Sequence, residues 1–162
     1  MIKLFDAFAG YGGAHFALKK AGLKHKAVGY SEILPDAIKI YDLNHPGSTN
    51  FGDITEINPD DLPDFNLFTG GFPCQGFSVA NLYREEDDNR NKLYLELVRL
   101  LKLKKPKYFI FENVKGILSL GGYETKEDKK NKQGKVFKMI VADLEKCGYT
   151  VHTKLFKVKW YD

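Results

Sequence analysis

Cysteine is scarce here: Cys74 and Cys147 are the only two, and they lie far apart. No Cys-x-x-Cys pair and no Cys/His cluster occurs, which argues against a zinc framework or a disulfide scaffold and predicts no metal site. Long apolar runs are also missing, and none approaches the ~20 residues needed to cross a bilayer. "MIKLFDAFAG" has no basic flank before a long apolar core, so it reads as the start of a strand rather than a signal peptide. These absences predict a soluble, intracellular protein of prokaryotic, cytoplasmic type with no membrane partner. Internal repeats are absent as well. His15, His25, His45 and His152 are scattered along the chain and are expected to be solvated or capping residues.

What is present suits one globular domain. The chain has 162 residues, of which 43% are hydrophobic and 14% aromatic. A chain of this length buries roughly 68–70% of its unfolded surface. The net charge of +4 permits a polyanionic partner. Lysines gather in "LKLKKPK", "KEDKKNKQGK" and "KLFKVK", and together these favour nucleic acid modestly.

The hydrophobic pattern alternates between strand and helix. "IKLFDAFAG", "HKAVGYS", "FNLFTGG", "KYFIFEN" and "TVHTKLFKVKWY" read as strands, and "STNFGDI" as a short extended piece. "GGAHFALKKAG" carries Ala14, Ala17, Leu18 and Ala21 at helical spacing. "LPDAIKIYDLNHP", "NKLYLELVRLLKLKKP" and "GKVFKMIVADLEKCGY" read as three further helices. Such alternation predicts an α/β fold: a Rossmann-like, mostly parallel sheet with helices on both faces. Two stretches, 76–91 and 119–134, read as irregular and mobile. The second, rich in Gly and Lys, reads as the more disorder-prone.

Function concentrates at the expected carboxyl ends of the strands, where open α/β sheets bind ligands. "FAGYGG" joins the first strand to the first helix, and glycine there lets a backbone approach a cofactor closely. Glu32 ends the second strand about 20 residues further on, where a carboxylate can accept hydrogen bonds from ribose hydroxyls. Asp53 ends the next extended piece, where an adenine amino group could be read. The G-x-G-G spacing and the lack of a second dinucleotide half argue against NAD. S-adenosylmethionine, an adenosine without phosphate, fits better.

"GGFPCQGFS" follows the fourth strand. A thiol on a fixed, exposed turn is poorly placed for burial and well placed for chemistry, provided its surroundings lower its pKa. Glu112 and Asn113 end the fifth strand and are expected to face the same crevice, where a carboxylate can hold or share a proton.

Taken together, "FAGYGG", "SEILPDAIKIYDLNH", "GDI", "GGFPCQGFS" and "FENVKGIL", with "RNKLYLELVRLLKLKKPKYFIFENV" joining the last two, resemble the DNA (cytosine-5-)-methyltransferases. The resemblance runs from residue 3 to the end, and the F-P-C-Q and E-N-V pair is its most specific part. Asn91 departs from it, standing where glycine is frequent in the family. The resemblance implies that Cys74 adds covalently to cytosine carbon 6 and that Glu112 holds ring nitrogen 3. The base must leave the stack first. Phe8 would stack on adenine, and Gly10, Tyr11 and Gly13 would line the methionine part. Glu32 would bind ribose, Asp53 and Ile54 adenine, and Pro73 and Leu93 would help line the pocket. Gln75, Ser78, Arg90 and Asn113 would meet the substrate, with 76–90 closing over the flipped base. The family's Q-x-R-x-R segment, target-recognition domain and last helix have no counterpart here. The sequence therefore reads as one cofactor-binding and catalytic domain over 1–162. Three settings stay open: one subunit of a split enzyme, a truncated piece or gene remnant, and an inactive cofactor-binding or interaction module. Transfer RNA stays open as an alternative substrate to DNA.

Overall fold

The structure is a computed structural model that describes residues 1–73 and 89–157, the side chains of 89–92 excepted. In chain order the elements are β1 (Ile2–Ala7), α1 (Gly13–Lys20), β2 (His25–Ser31), α2 (Pro35–Asn44), β3 (Leu67–Gly70), α3 (Asn89–Lys104), β4 (Tyr108–Phe111), α4 (Lys126–Asn131) and α5 (Lys135–Glu145). The strands form one sheet in the order β2-β1-β3-β4, all parallel. Parallel neighbours need long crossovers, and the helices supply them.

Period-two side chains sort onto two faces. Phe5, Ala7 and Phe68 point toward α3 and α5, where they meet Leu97, Leu100, Leu101, Val136 and Ile140 in the main core. Leu4, Ala27 and Leu67 point the other way, onto Leu18 of α1. Tyr30 stacks on Tyr41 of α2, with ring centroids 3.8 Å apart. Helices thus cover both faces, as the alternation predicts. The α1 stripe is narrower than the spacing suggests: Leu18 is buried, whereas Ala17 and Ala21 are exposed.

The extended piece at 48–54 contributes only a bridge between Asn50 and Tyr30. It is held instead by α3. The Arg99 guanidinium donates to Ile54 O at 3.0 Å and Ile57 O at 3.1 Å, and its Nε meets Glu96 at 2.6 Å.

Three expectations need correction. Residues 119–134 are not featureless. A 3-10 turn spans Lys115–Ser119, and α4 follows behind a capping box in which Thr125 and Asp128 exchange side-chain-to-backbone bonds. Lys138 of α5 then ties Glu124 and Asp128 down at 3.1 and 3.3 Å. The Thr-x-x-Asp of "TKED" satisfies helix-end donors despite the lysines around it. Val151–Lys157 is not a strand among the described residues, and 158–162 lie outside them. A strand needs a neighbour for its backbone groups, and none is paired with this segment. The histidines do not stand apart: His15, His25 and His45 pack together. Of the other irregular stretch, 76–88 lies outside the described residues, and 89–91 already belongs to α3.

Asp6 is the buried acid of the sheet, 4% exposed, and accepts from the Thr69 hydroxyl at 2.6 Å. Desolvation raises its pKa to about 6, against a smaller opposing contribution from that hydrogen bond. The unfolded carboxyl ionises near 3.8, so Asp6 costs the fold stability progressively from about pH 4 to about pH 6, and fully above that. Asp6→Asn, which keeps an acceptor for Thr69, should raise stability by about 2 kcal/mol at neutral pH, with the gain vanishing near pH 4. Urea midpoints measured across that range check it. Arg99→Met strips two carbonyls of their donor and should cost about 1–2 kcal/mol, read as a lowered urea midpoint with an unchanged slope.

Candidate cofactor and active site

The register decides what meets at the sheet's carboxyl edge. Ala7 lies opposite Ser31 on one side and Gly70 on the other, and Gly70 lies opposite Phe111. The next residue on each strand is therefore Glu32, Phe8, Gly71 and Glu112, side by side.

Phe8 leaves β1 in the left-handed region at φ 53. Such a conformation costs a non-glycine residue energy and turns its ring out of the strand direction. That ring lines a cavity of about 310 Å³ together with Ser31, Glu32, Ile33, Leu34, Asp53, Ile54, Pro73 and Leu93. Six residues singled out from the sequence thus converge here: Phe8, Glu32, Asp53, Ile54, Pro73 and Leu93. Gly10, Tyr11 and Gly13 do not line the cavity. Tyr11 points to solvent, and Gly13 opens α1.

Glu32 organises the turn. Its Oε2 accepts from Gly10 N–H at 2.9 Å, and its Oε1 accepts from Ile33 and Leu34 N–H at 2.8 and 3.0 Å. Asn50 joins the neighbouring turn to it: Asn50 Oδ1 accepts from Gly52 N–H at 3.0 Å and Glu32 N–H at 3.3 Å, and Nδ2 donates to Glu32 O. Ser31 donates to Gly52 O at 2.7 Å. Asp53 accepts from the Thr55 backbone and hydroxyl, a local turn that fixes its carboxylate at the rim. Sequence reading missed Ser31, Ile33, Leu34 and Asn50. The polar cluster "STN" before "FGDI" is the one signal that could have suggested Asn50.

The cavity's donor set can be tested against the expected cofactor. Its lining has two carboxylates, a hydroxyl, an aromatic face and aliphatic walls, and no lysine or arginine among the described residues. Phosphate would find no cation there. A ribose, an adenine and a cationic sulfonium suit carboxylates and an aromatic face. The residues present fit S-adenosylmethionine better than a dinucleotide.

The second half of the site adjoins the first. Glu112 is exposed at the end of β4 and lies beside Gly71, where a Cβ would come within 3.5 Å of its Oε2. Asn113 Nδ2 donates to Phe72 O at 2.8 Å, and its Oδ1 accepts from Val114 N–H. The "ENV" turn is thereby fastened to the backbone two residues before Cys74. Cys74, Gln75 and Ser78 lie outside the described residues, as does the Arg90 side chain, although its backbone belongs to α3.

The comparisons agree with this geometry. The sequence profile of the C-5 cytosine-specific DNA methylases matches residues 2–162. The chain is 41% identical over 157 residues to the type II methyltransferase M1.ScrFI of Lactococcus lactis subsp. cremoris, covering 97% of this chain and 37% of that protein. It is 38% identical over 162 residues to the type II methyltransferase M.NlaIV of Neisseria lactamica, again covering 37% of the longer protein. The S. pombe Dnmt2 methyltransferase superimposes with a TM-score of 0.68 at 25% identity, over 92% of this chain and 41% of that one. The chain therefore spans well under half the length of these relatives. With a Rossmann-like parallel sheet, the cofactor-type cavity and the E-N-V turn in register beside it, this chain belongs to the C-5 cytosine-specific DNA methylase family.

Proposed function

We propose that the protein transfers a methyl group from S-adenosylmethionine to carbon 5 of cytosine in DNA. One observation carries this reading: Phe8, Glu32 and Asp53 ring a cavity that no Lys or Arg lines among the described residues, and Glu112, with β3 between its strand and that of Phe8, is fastened beside the turn leading to Cys74. In this reading Phe8 stacks on adenine, Glu32 takes the ribose hydroxyls and Asp53 with Ile54 borders the adenine edge. Pro73 and Leu93 close the wall, while Gly10, Tyr11 and Gly13 pass behind the methionine part. The cofactor supplies an electrophilic methyl group on sulfur.

The chain's own residues handle the base. The Cys74 thiolate adds to carbon 6 of an extruded cytosine, and Glu112 holds ring nitrogen 3 where charge accumulates. The displaced electron pair makes carbon 5 nucleophilic, and carbon 5 takes the methyl group. Removal of the carbon 5 proton by a base then re-forms the 5,6 double bond as the Cys74 thiolate departs. In this reading Gln75, Ser78, Arg90 and Asn113 contact the substrate, and 76–90 closes over the flipped base.

Whole-protein activity is a further proposal, because the chain covers 37% of its relatives M1.ScrFI and M.NlaIV. The far end of the sheet supports a need for more sequence, supplied in cis or by a second chain. Tyr108 and Ile110 of β4 share the face that α1 covers elsewhere, yet each is 60% exposed. Both remain largely open to solvent, although the Lys107 ammonium stands 5.2 Å from the centre of the Tyr108 ring. A target-recognition domain and covering elements from the remaining portion would complete both this face and the DNA site.

Calorimetric titration should show S-adenosylmethionine binding to the 162-residue chain. Glu32→Ala should weaken it by about tenfold to a hundredfold, since it removes charged hydrogen bonds to the ligand and to the turn. No binding by the unaltered chain would defeat the cofactor assignment. For the chemistry, duplex DNA and transfer RNA carrying 5-fluorocytosine should be offered to the chain, alone and with a polypeptide matching the relatives' C-terminal portion. A covalent adduct with DNA only in the supplemented mixture, abolished by Cys74→Ser, is expected. Robust methylation by the 162 residues alone would refute the need for more sequence, an RNA-only adduct would move the substrate to transfer RNA, and an indifferent Cys74→Ser would leave only a binding module.

A further inference from the structure

Three histidines that look scattered in the sequence converge behind the glycine turn. His15 stands on α1, His25 opens β2 and His45 caps α2. The His45 ring lies flat on His15, with centroids 3.9 Å apart and planes 10° from parallel. Phe16 and Tyr41 meet His45 edge-on at 4.6 and 5.0 Å. His45 is 5% exposed, and among the described residues its buried Nε2 finds no hydrogen-bond partner of good geometry.

This ring is the wall against which the turn is built. Gly12 has φ 85, and a Cβ there would overlap His45 Nε2 and the adjoining ring carbon. Gly12 N–H closes the turn onto Ala9 O at 2.9 Å, and Gly10 N–H reaches Glu32. His45 thus touches the same short loop that Glu32 holds from the cavity side.

Proton placement follows from the acceptors. His25 Nδ1 is 2.8 Å from Leu23 O, and a carbonyl only accepts, so His25 Nδ1 carries a proton. With His25 neutral, its Nε2 accepts, and His15 donates through Nδ1 across 2.9 Å. An added proton must then sit in a cluster of stacked rings beside Lys19 of α1. Burial, then His45 and His25, hold the His15 pKa below the usual histidine range, with Lys19 acting the same way. Burial chiefly lowers that of His45, with His25 and Lys19 adding to it, while the Gly12 and Tyr11 carbonyls oppose. Tyr41 faces His45 from α2; Asp6 of β1 and Asp42 of α2 act on Tyr41, one layer further back. The rings stack instead of aiming lone pairs at one point, and among the described residues no set of three such groups could hold a metal.

We propose that His45, clamped by His15, is the positioning residue of the glycine turn, and that protonation of this pair in mildly acidic solution loosens the turn and weakens cofactor binding. The proposal rests on the cavity's reading as the S-adenosylmethionine site. Neutral rings stack and fill the space under Gly12. A charged ring repels its neighbours and seeks water, and the turn loses its wall.

The test is S-adenosylmethionine affinity by calorimetry between about pH 8 and about pH 5.5, for the unaltered chain, His15→Phe, His45→Gln and the double variant. The unaltered chain should lose affinity several-fold at the acid end, the sign expected when the bound state excludes a proton that the free state accepts. His15→Phe keeps a stacked ring but removes one titrating partner, and should lose less than half as much on a logarithmic scale. His45→Gln should bind several-fold more weakly near pH 8 and vary little with pH. Ratios between variants cancel any titration of the ligand itself. A flat profile in the unaltered chain, with tight binding near pH 8, overturns this proposal alone. Absence of binding near pH 8 overturns the cofactor reading and this one with it. An acid loss that persists in the double variant places the effect outside this pair and overturns the proposal. Circular dichroism melts at both pH limits report folding, and if the His45 variants unfold, the His15→Phe profile decides.

Discussion

The registered pairing of four parallel strands is the constraint on which everything else depends. Ser31, Ala7, Gly70 and Phe111 end level with one another. One residue later each chain must turn, and the four turns begin shoulder to shoulder. A slip of one residue would invert every side chain on the slipped strand and send Phe8 or Glu112 to the wrong face. The buried faces forbid such a slip, because Phe5 and Phe68 fit one core and Leu4 and Leu67 the other. Hydrophobic burial thus positions polar chemistry indirectly, by fixing where strands stop.

The turns are then fastened to one another rather than left as free loops. Glu32 binds Gly10, Asn50 binds Glu32 and Gly52, and Arg99 of α3 holds Ile54 and Ile57. Asn113 holds Phe72. Each bond crosses from one turn or helix to another, so the turns around the cavity are tied to their neighbours. His45 presses on the glycine turn from behind. A site pre-arranged in this way loses less freedom when a ligand binds.

The two buried titratable features lie on the side of the sheet away from the main core. Asp6 and the histidine stack are linked through Tyr41, which lies between β1 and the end of α2. Burial disfavours the charged forms of these groups, so a change of protonation there bears on the geometry of the binding turn beside them.

The sequence by itself determined the strand–helix alternation and the two acids of the cavity, while Phe8, Ile54, Pro73 and Leu93 were legible only through the family resemblance. Periodicity is a local property, and glycine and acid positions at strand ends follow from it once the sheet is parallel. "FAGYGG", Glu32, Asp53 and the E-N-V turn were legible for that reason. Tertiary structure alone decided what sequence separation conceals. His15, His25 and His45 meet only because α1, β2 and α2 fold onto one face, and no local pattern encodes that. Asn50 and Arg99 act on backbone atoms, which every residue possesses, so their partners leave no mark in the sequence. The alternation in "TVHTKLFKV" carried the opposite lesson: a strand-like pattern is a capacity, and pairing requires a neighbour that Val151–Lys157 does not meet among the described residues. Side-chain character is written residue by residue, whereas a contact belongs to two residues at once, and only the folded chain brings them together.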